Sequence, residues 1–127
     1  VYEAKKNNLP KVEVWGTGKP LRDWLYVKDG AEAILRTTAA YDDVSPLNIA
    51  TGVGISVSTL AETIQKVVGY TGKLVYNTDK PDGALHKIFG IHKMKKVLHW
   101  VPPTSIEKGI KETVSWFGKH YEHAISY

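Results

Sequence analysis

The chain has 127 residues, with 17 basic and 13 acidic side chains and a formal charge of +4. One domain of that length buries roughly two thirds of its unfolded surface, and 43% hydrophobic with 24% charged residues excludes a disordered or low-complexity segment. There is no cysteine, which excludes disulfides, a thiol nucleophile and thiolate metal sites and agrees with a reducing cytoplasm as the expected location.

Val1 to Asn8 reads as the end of a helix, broken by Asn7, Asn8 and Pro10. A chain opening on Val1 inside such a stretch is expected to be a piece of something longer. Val12 and Val14 alternate with polar neighbours as a short strand ending at Gly16, and Gly16-Thr17-Gly18-Lys19-Pro20 follows as a turn. Trp24 to Val27 reads as a second extended segment. Asp29 is placed to cap the next helix, with Ala31, Ile34, Leu35 and Thr38 on one face and an end near Tyr41.

Leu47 to Ala50 is a strand candidate closed by Thr51-Gly52-Val53-Gly54. Ser56 then caps a helix with apolar Leu60, Ala61, Ile64, Val67 and Val68, and Gly69 is its natural stop. Lys73 to Tyr76 forms a third strand candidate, and residues 77–90 read as a loop. A short helix carries Ile91, Met94, Val97 and Leu98. After Pro102-Pro103, Thr104 or Ser105 caps a last helix whose stripe is Ile106, Ile110, Val114, Phe117 and Tyr121. The alternation of strands and helices predicts an α/β fold, or α+β for an isolated piece, over residues 1–127. No apolar run reaches the roughly 20 residues of a membrane span, and no signal peptide opens the chain.

Charge is uneven, since residues 77–127 hold eight bases and five acids. Lys80, Lys87, Lys93, Lys95 and Lys96 suggest a nucleic-acid surface, but the chain has only two arginines and a solvated lysine face is the plainer account. Thr51-Gly52-Val53-Gly54-Ile55-Ser56 precedes a helix as a dinucleotide loop would, yet Val57 stands where the third glycine belongs. No cofactor-binding residue is assigned. The five histidines form no H-E-x-x-H, so no metal ligand is assigned, and no G-x-S-x-G elbow exists.

Two segments say more. Val14-Trp15-Gly16-Thr17-Gly18-Lys19-Pro20-Leu21-Arg22-Asp23 sets an indole and a guanidinium beside a flexible turn, and Lys80-Pro81-Asp82-Gly83-Ala84-Leu85-His86-Lys87 sets two cations on another. If the two meet, Arg22 and Lys87 clamp a diphosphate while Trp15 offers a face for a base or sugar. The competing reading makes Trp15 core, pairs Arg22 with Asp23 or Asp29, and leaves the lysines solvated.

Residues 12–29 resemble the stretch V-x-V-W-G-x-G-x-P-x-R-[DE]-[FW]-[LI]-[HY]-V-x-D of the extended short-chain dehydrogenase/reductase family, the NAD(P)-dependent nucleotide-sugar epimerases, dehydratases and reductases. Leu47 to Gly52, Val67-Val68-Gly69-Tyr70 through Lys80-Pro81-Asp82-Gly83, and Trp100 to Phe117 extend the likeness over nearly the whole chain. The stretch from Val67-Val68-Gly69-Tyr70 through Lys80-Pro81-Asp82-Gly83 is nearest to members that reduce and epimerise a GDP-keto sugar, while Arg22 to Val27 also suits 4,6-dehydratases.

The resemblance implies the C-terminal, substrate-binding portion of a Rossmann-type enzyme, without its Rossmann half. Val14, Trp15, Arg22 and Lys87 would bind a nucleotide-diphosphate sugar. NAD or NADP would be bound by the other half, as would the catalytic Ser/Thr and Tyr-x-x-x-Lys, leaving no catalytic residue here and no turnover by the piece alone. Tyr2-Glu3-Ala4-Lys5-Lys6 satisfies Y-x-x-x-K literally but lies on the wrong element. His86 stands where the family has Arg, Gly90 where it has Asp, and Lys28 replaces the first of two acids. These departures open a rival reading, a non-catalytic binding module with an eroded site. Separated from the Rossmann sheet, the Leu47 strand and the helix after Asp29 are expected to dimerise or exchange strands.

Overall fold

The computed structural model describes residues 1–124. In chain order the elements are α1 (Tyr2–Lys6), β1 (Lys11–Trp15), β2 (Leu21–Asp23), α2 (Val27–Ala40), β3 (Gly54–Ser56), α3 (Val57–Val68), β4 (Lys73–Asn77), β5 (His86–Lys87), α4 (His92–Leu98), α5 (Ile106–Lys119) and α6 (Tyr121–Ala124).

Alternation in β1 turns Val12 and Val14 inward and Lys11, Glu13 and Trp15 outward. β1 pairs in parallel with β4, Val12 opposite Leu74 and Val14 opposite Tyr76. A parallel pair demands a long crossover, and β2, α2, β3 and α3 all lie within it. A second sheet has the order β3-β2-β5, with β2 antiparallel to β3 and parallel to β5.

Local chemistry sets the helix ends. Ser56 Oγ accepts from Thr59 N at 3.0 Å to start α3, and Gly69 at φ +70° ends it. Lys5 Nζ donates to Val68 O at 2.7 Å, a cation on the carbonyl end of that helix. Ser105 Oγ accepts from Lys108 N at the start of α5. The stripe Ile106, Ile110, Val114, Phe117 and Tyr121 faces inward as its spacing requires, and α5 packs on α3. The core gathers Ala4, Val68 and Tyr70 with Val1, Tyr2, Val12, Ile64 and Val114 around them. A second buried zone holds Ala33 of α2 with Met94 and Leu98 of α4, two helices that pack together.

Four expectations are corrected. The second extended segment is Leu21–Asp23 rather than Trp24 to Val27, because Tyr26 already stands at the N-cap of α2 and Trp24 Nε1 donates to Ile55 O at 3.3 Å. Asp29 lies inside the first turn of α2 and does not cap it; its carboxylate accepts from Thr104 N and Oγ1. Leu47 to Ala50 forms no strand, for no neighbouring strand among the described residues pairs with it. Residues 77–90 are not all loop, since His86–Lys87 pairs with β2.

The face Ala31, Ile34, Leu35 and Thr38 of α2 points outward. Ile34 is 61% exposed and Leu35 67%, while Asp29, Ala33 and Thr37 turn in. An apolar helix face thus lies open to solvent.

Candidate functional site

The turn Gly16-Thr17-Gly18 follows β1 with both glycines at positive φ, +82° and +74°. A side chain at Gly16 would collide with the Asp82 carboxylate, and one at Gly18 with the Tyr76 ring. Asp82 enters that space and accepts from Thr17 N and Thr17 Oγ1, both at 2.6 Å. These bonds hold the Asp82 carboxyl below its ordinary range, the Thr17 hydroxyl contributing most. The two segments singled out in the sequence therefore meet.

Arg22, half-buried on β2, closes the other side. Its Nη1 donates to Ala84 O at 2.7 Å and Leu21 O at 2.8 Å, and its Nη2 to Asp82 O at 3.3 Å. Leu21 N donates to Leu85 O at 2.8 Å, so residues 82–85 are stitched along β2. Lys87 is the register partner of Arg22 across the parallel pair, so the two residues stand opposite each other on neighbouring strands. Lys87 is exposed and makes no side-chain hydrogen bond or ion pair among the described residues.

Trp15 is 69% exposed, with Lys80 Nζ 5.4 Å from its ring centroid. The account that made it core fails on that exposure. Val14 is half-buried and turns to the opposite face of β1, toward the side of Tyr76. The pairing of Arg22 with Asp23 or Asp29 does not occur. Asp23 accepts instead from Thr51 N, Thr51 Oγ1 and Gly52 N at 2.5–2.9 Å.

Asp23 also decides the dinucleotide question. Phosphate binding at a glycine turn uses its free amides, and two amides of the Thr51-Gly52-Val53-Gly54 turn are already closed by the carboxylate. Those two amides are not free to take a phosphate. Tyr2 and Lys6 dock the termini together: the Tyr2 ring meets Phe117 edge-on at 5.1 Å, and Lys6 Nζ pairs with Glu122 at 3.0 Å. No group of three or more His, Asp or Glu among the described residues could hold a metal ion.

Sequence reasoning missed three features. Asp82 as the clasp on Thr17 was signalled only by turn residues on both sides. Lys93, grouped with the solvated lysines, donates to Tyr41 Oη and Ser45 Oγ and binds the 41–46 loop. The Tyr76 hydroxyl is buried with no hydrogen-bond partner among the described residues, and burial pushes its phenol up. Of the two departures nearest the site, His86 is exposed on β5, and a side chain at Gly90 would meet open space.

Residues 1–50 match the NAD dependent epimerase/dehydratase family. The chain is 40% identical over 116 residues to a putative GDP-L-fucose synthase 2 of Arabidopsis thaliana, covering 91% of this chain and 35% of that protein. A GDP-L-fucose synthetase of Naegleria fowleri, solved bound to NADP, superposes with a TM-score of 0.90 at 34% identity, covering 95% of this chain and 38% of that one. A UDP-glucose 4-epimerase of Thermotoga maritima, solved with UDP-glucose, gives 0.82 at 31%, covering 94% and 38%.

Residues 1–50 thus resemble the NAD dependent epimerase/dehydratase family, and the chain carries part of the extended short-chain dehydrogenase/reductase fold. Within that family it is similar to the GDP-L-fucose synthases, and it spans little more than a third of their length, 35% in Arabidopsis and 39% in Escherichia coli.

Proposed function

We propose that these residues form the nucleotide-sugar-binding portion of an NAD(P)-dependent epimerase, reductase or dehydratase acting on a nucleoside-diphosphate keto sugar. One observation carries the reading: Arg22 and Lys87 are register partners on β2 and β5, beside a turn that presents Trp15 to solvent. In this account Lys87 and the remaining donors of Arg22, its Nε–H and one Nη2–H, meet the diphosphate. Trp15 supplies a face for the base or sugar, and Val14 supports that strand from beneath.

The chain's share of its relatives' length supports a cofactor-binding half outside these residues. That half would bind NAD or NADP, supply the hydride chemistry and cover the open face of α2. Residues 1–127 would then be the C-terminal domain of a cytoplasmic enzyme, inactive alone, whose exposed α2 face favours a homodimer or strand exchange when isolated. No helix of the described residues is long and apolar enough to cross a membrane.

The rival reading is a binding module with an eroded site. Two observations favour it: Arg22 Nη1 is fully spent on carbonyls, and exposed His86 stands where the family has a permanent cation. Titration with GDP and dTDP separates the two. Binding that weakens in Arg22→Ala and Lys87→Ala supports the nucleotide-sugar site, and no binding supports the rival. Conversion of a GDP- or dTDP-keto sugar by the purified chain with NADPH would overturn the division of labour.

A further inference from the structure

Among the residues of this wall, Asp82 is out of place. A carboxylate close to Lys19 and Arg22 carries a charge that opposes a diphosphate, so its place in this wall calls for another account. Its oxygens are engaged, and not by a cation. Oδ1 accepts from Thr17 N and Oδ2 from Thr17 Oγ1, in a space left open by the absence of a side chain on Gly16. Its backbone carbonyl, not its carboxylate, takes the Arg22 guanidinium.

Three strands of the wall converge on this residue. The carboxylate holds the turn after β1, and with it the approach to Trp15. The carbonyl, with that of Ala84, holds Arg22 on β2. The chain then runs through Leu85, whose carbonyl accepts from Leu21 N, into β5 and Lys87.

We infer that Asp82 is a positioning residue, the clasp that sets Trp15, Arg22 and Lys87 at a fixed spacing for a nucleoside diphosphate. This rests on the site reading above, and its failure can be told apart from failure of that reading. A fixed spacing matters because a bidentate cation and an aromatic face gain affinity only when held in place before the ligand arrives.

The test titrates GDP into the chain and into Asp82→Ala, Asp82→Asn and Thr17→Val, with thermal midpoints and amide exchange at Thr17 measured in parallel. Asp82→Ala is expected to weaken GDP binding by about tenfold, and Thr17→Val by less, with a modest fall in melting midpoint that leaves the chain folded. Asp82→Asn keeps an oxygen acceptor for Thr17 N and is expected to recover much of the affinity. Exchange at Thr17 should quicken in Asp82→Ala alone among the Asp82 variants.

GDP binding in Asp82→Ala equal to or tighter than in the unaltered chain overturns the inference and leaves the site reading standing. A loss in Asp82→Ala matched by a collapse in melting, with Thr17→Val unaffected in binding, also overturns it. If the unaltered chain binds no GDP, the site reading fails and the positioning role falls with it.

Discussion

Asp29 and Thr104 join the start of α2 to the entry of α5. The carboxylate, 6% exposed, accepts from Thr104 Oγ1 at 2.8 Å and Thr104 N at 3.0 Å. Two hydrogen bonds to a buried charge hold these elements together where the chain turns through Pro102-Pro103.

Removing that carboxylate should be costly. Asp29→Ala is expected to lose about 3 kcal/mol of stability, the scale of charged hydrogen bonds plus a stranded, half-buried amide. Urea unfolding measures it, and a loss below about 1 kcal/mol would show that α5 is positioned by its apolar stripe instead.

The buried Tyr76 hydroxyl makes the opposite prediction. It has no partner among the described residues, so folding desolvates it without return. Tyr76→Phe should be neutral or stabilise by about 1 kcal/mol in the same unfolding assay. A clear loss would mean that the hydroxyl is satisfied by ordered water.

These residues also show where the sequence was readable. Helical spacing exposed the stripe of α5 and the apolar set of α3, and Ser56, Gly69 and Ser105 marked their ends, because caps and periodicity are local signals. Asp29 and Asp23 were misread for the complementary reason. Each binds amides far along the chain, at Thr104 and at Thr51 and Gly52, and no local rule assigns such a partner. The same holds for the site: the sequence marks two turns that clamp a diphosphate if they meet, but gives no sign of the Asp82–Thr17 bonds that join them. Leu47 to Ala50 reads as a strand because its composition fits one, while a ladder requires a neighbour that the described residues do not supply.

Acid should release the clasp at an unusually low pH. The Asp82 carboxyl is held below the ordinary aspartate value of 3.8 by the Thr17 hydroxyl and amide. A depressed carboxylate contributes stability that is present above its unfolded value and is lost as pH falls through the folded one. The Thr17 amide resonance, followed by NMR on acidification, should therefore move with a midpoint below 3.8. A midpoint at or above that value would show that the bonds do not persist in solution.

The open face of α2 predicts association. Ile34 and Leu35 are more than half exposed, and Val27 and Trp116 extend the apolar surface around a shared hollow. In multi-angle light scattering the chain should exceed monomer mass, and Ile34→Glu combined with Leu35→Glu should return it to monomer. A strictly monomeric parent chain would contradict this.

Lys87 gives the most direct test of the nucleotide-sugar site, because its ammonium holds no other group among the described residues. Calorimetric titration of the chain and of Lys87→Ala with GDP isolates the ligand contact from any effect on the fold. Saturable binding in the chain, weakened at least about tenfold in Lys87→Ala as expected for a charged hydrogen bond, is the predicted result. Equal affinity in the two proteins, or no binding to either, would contradict the account.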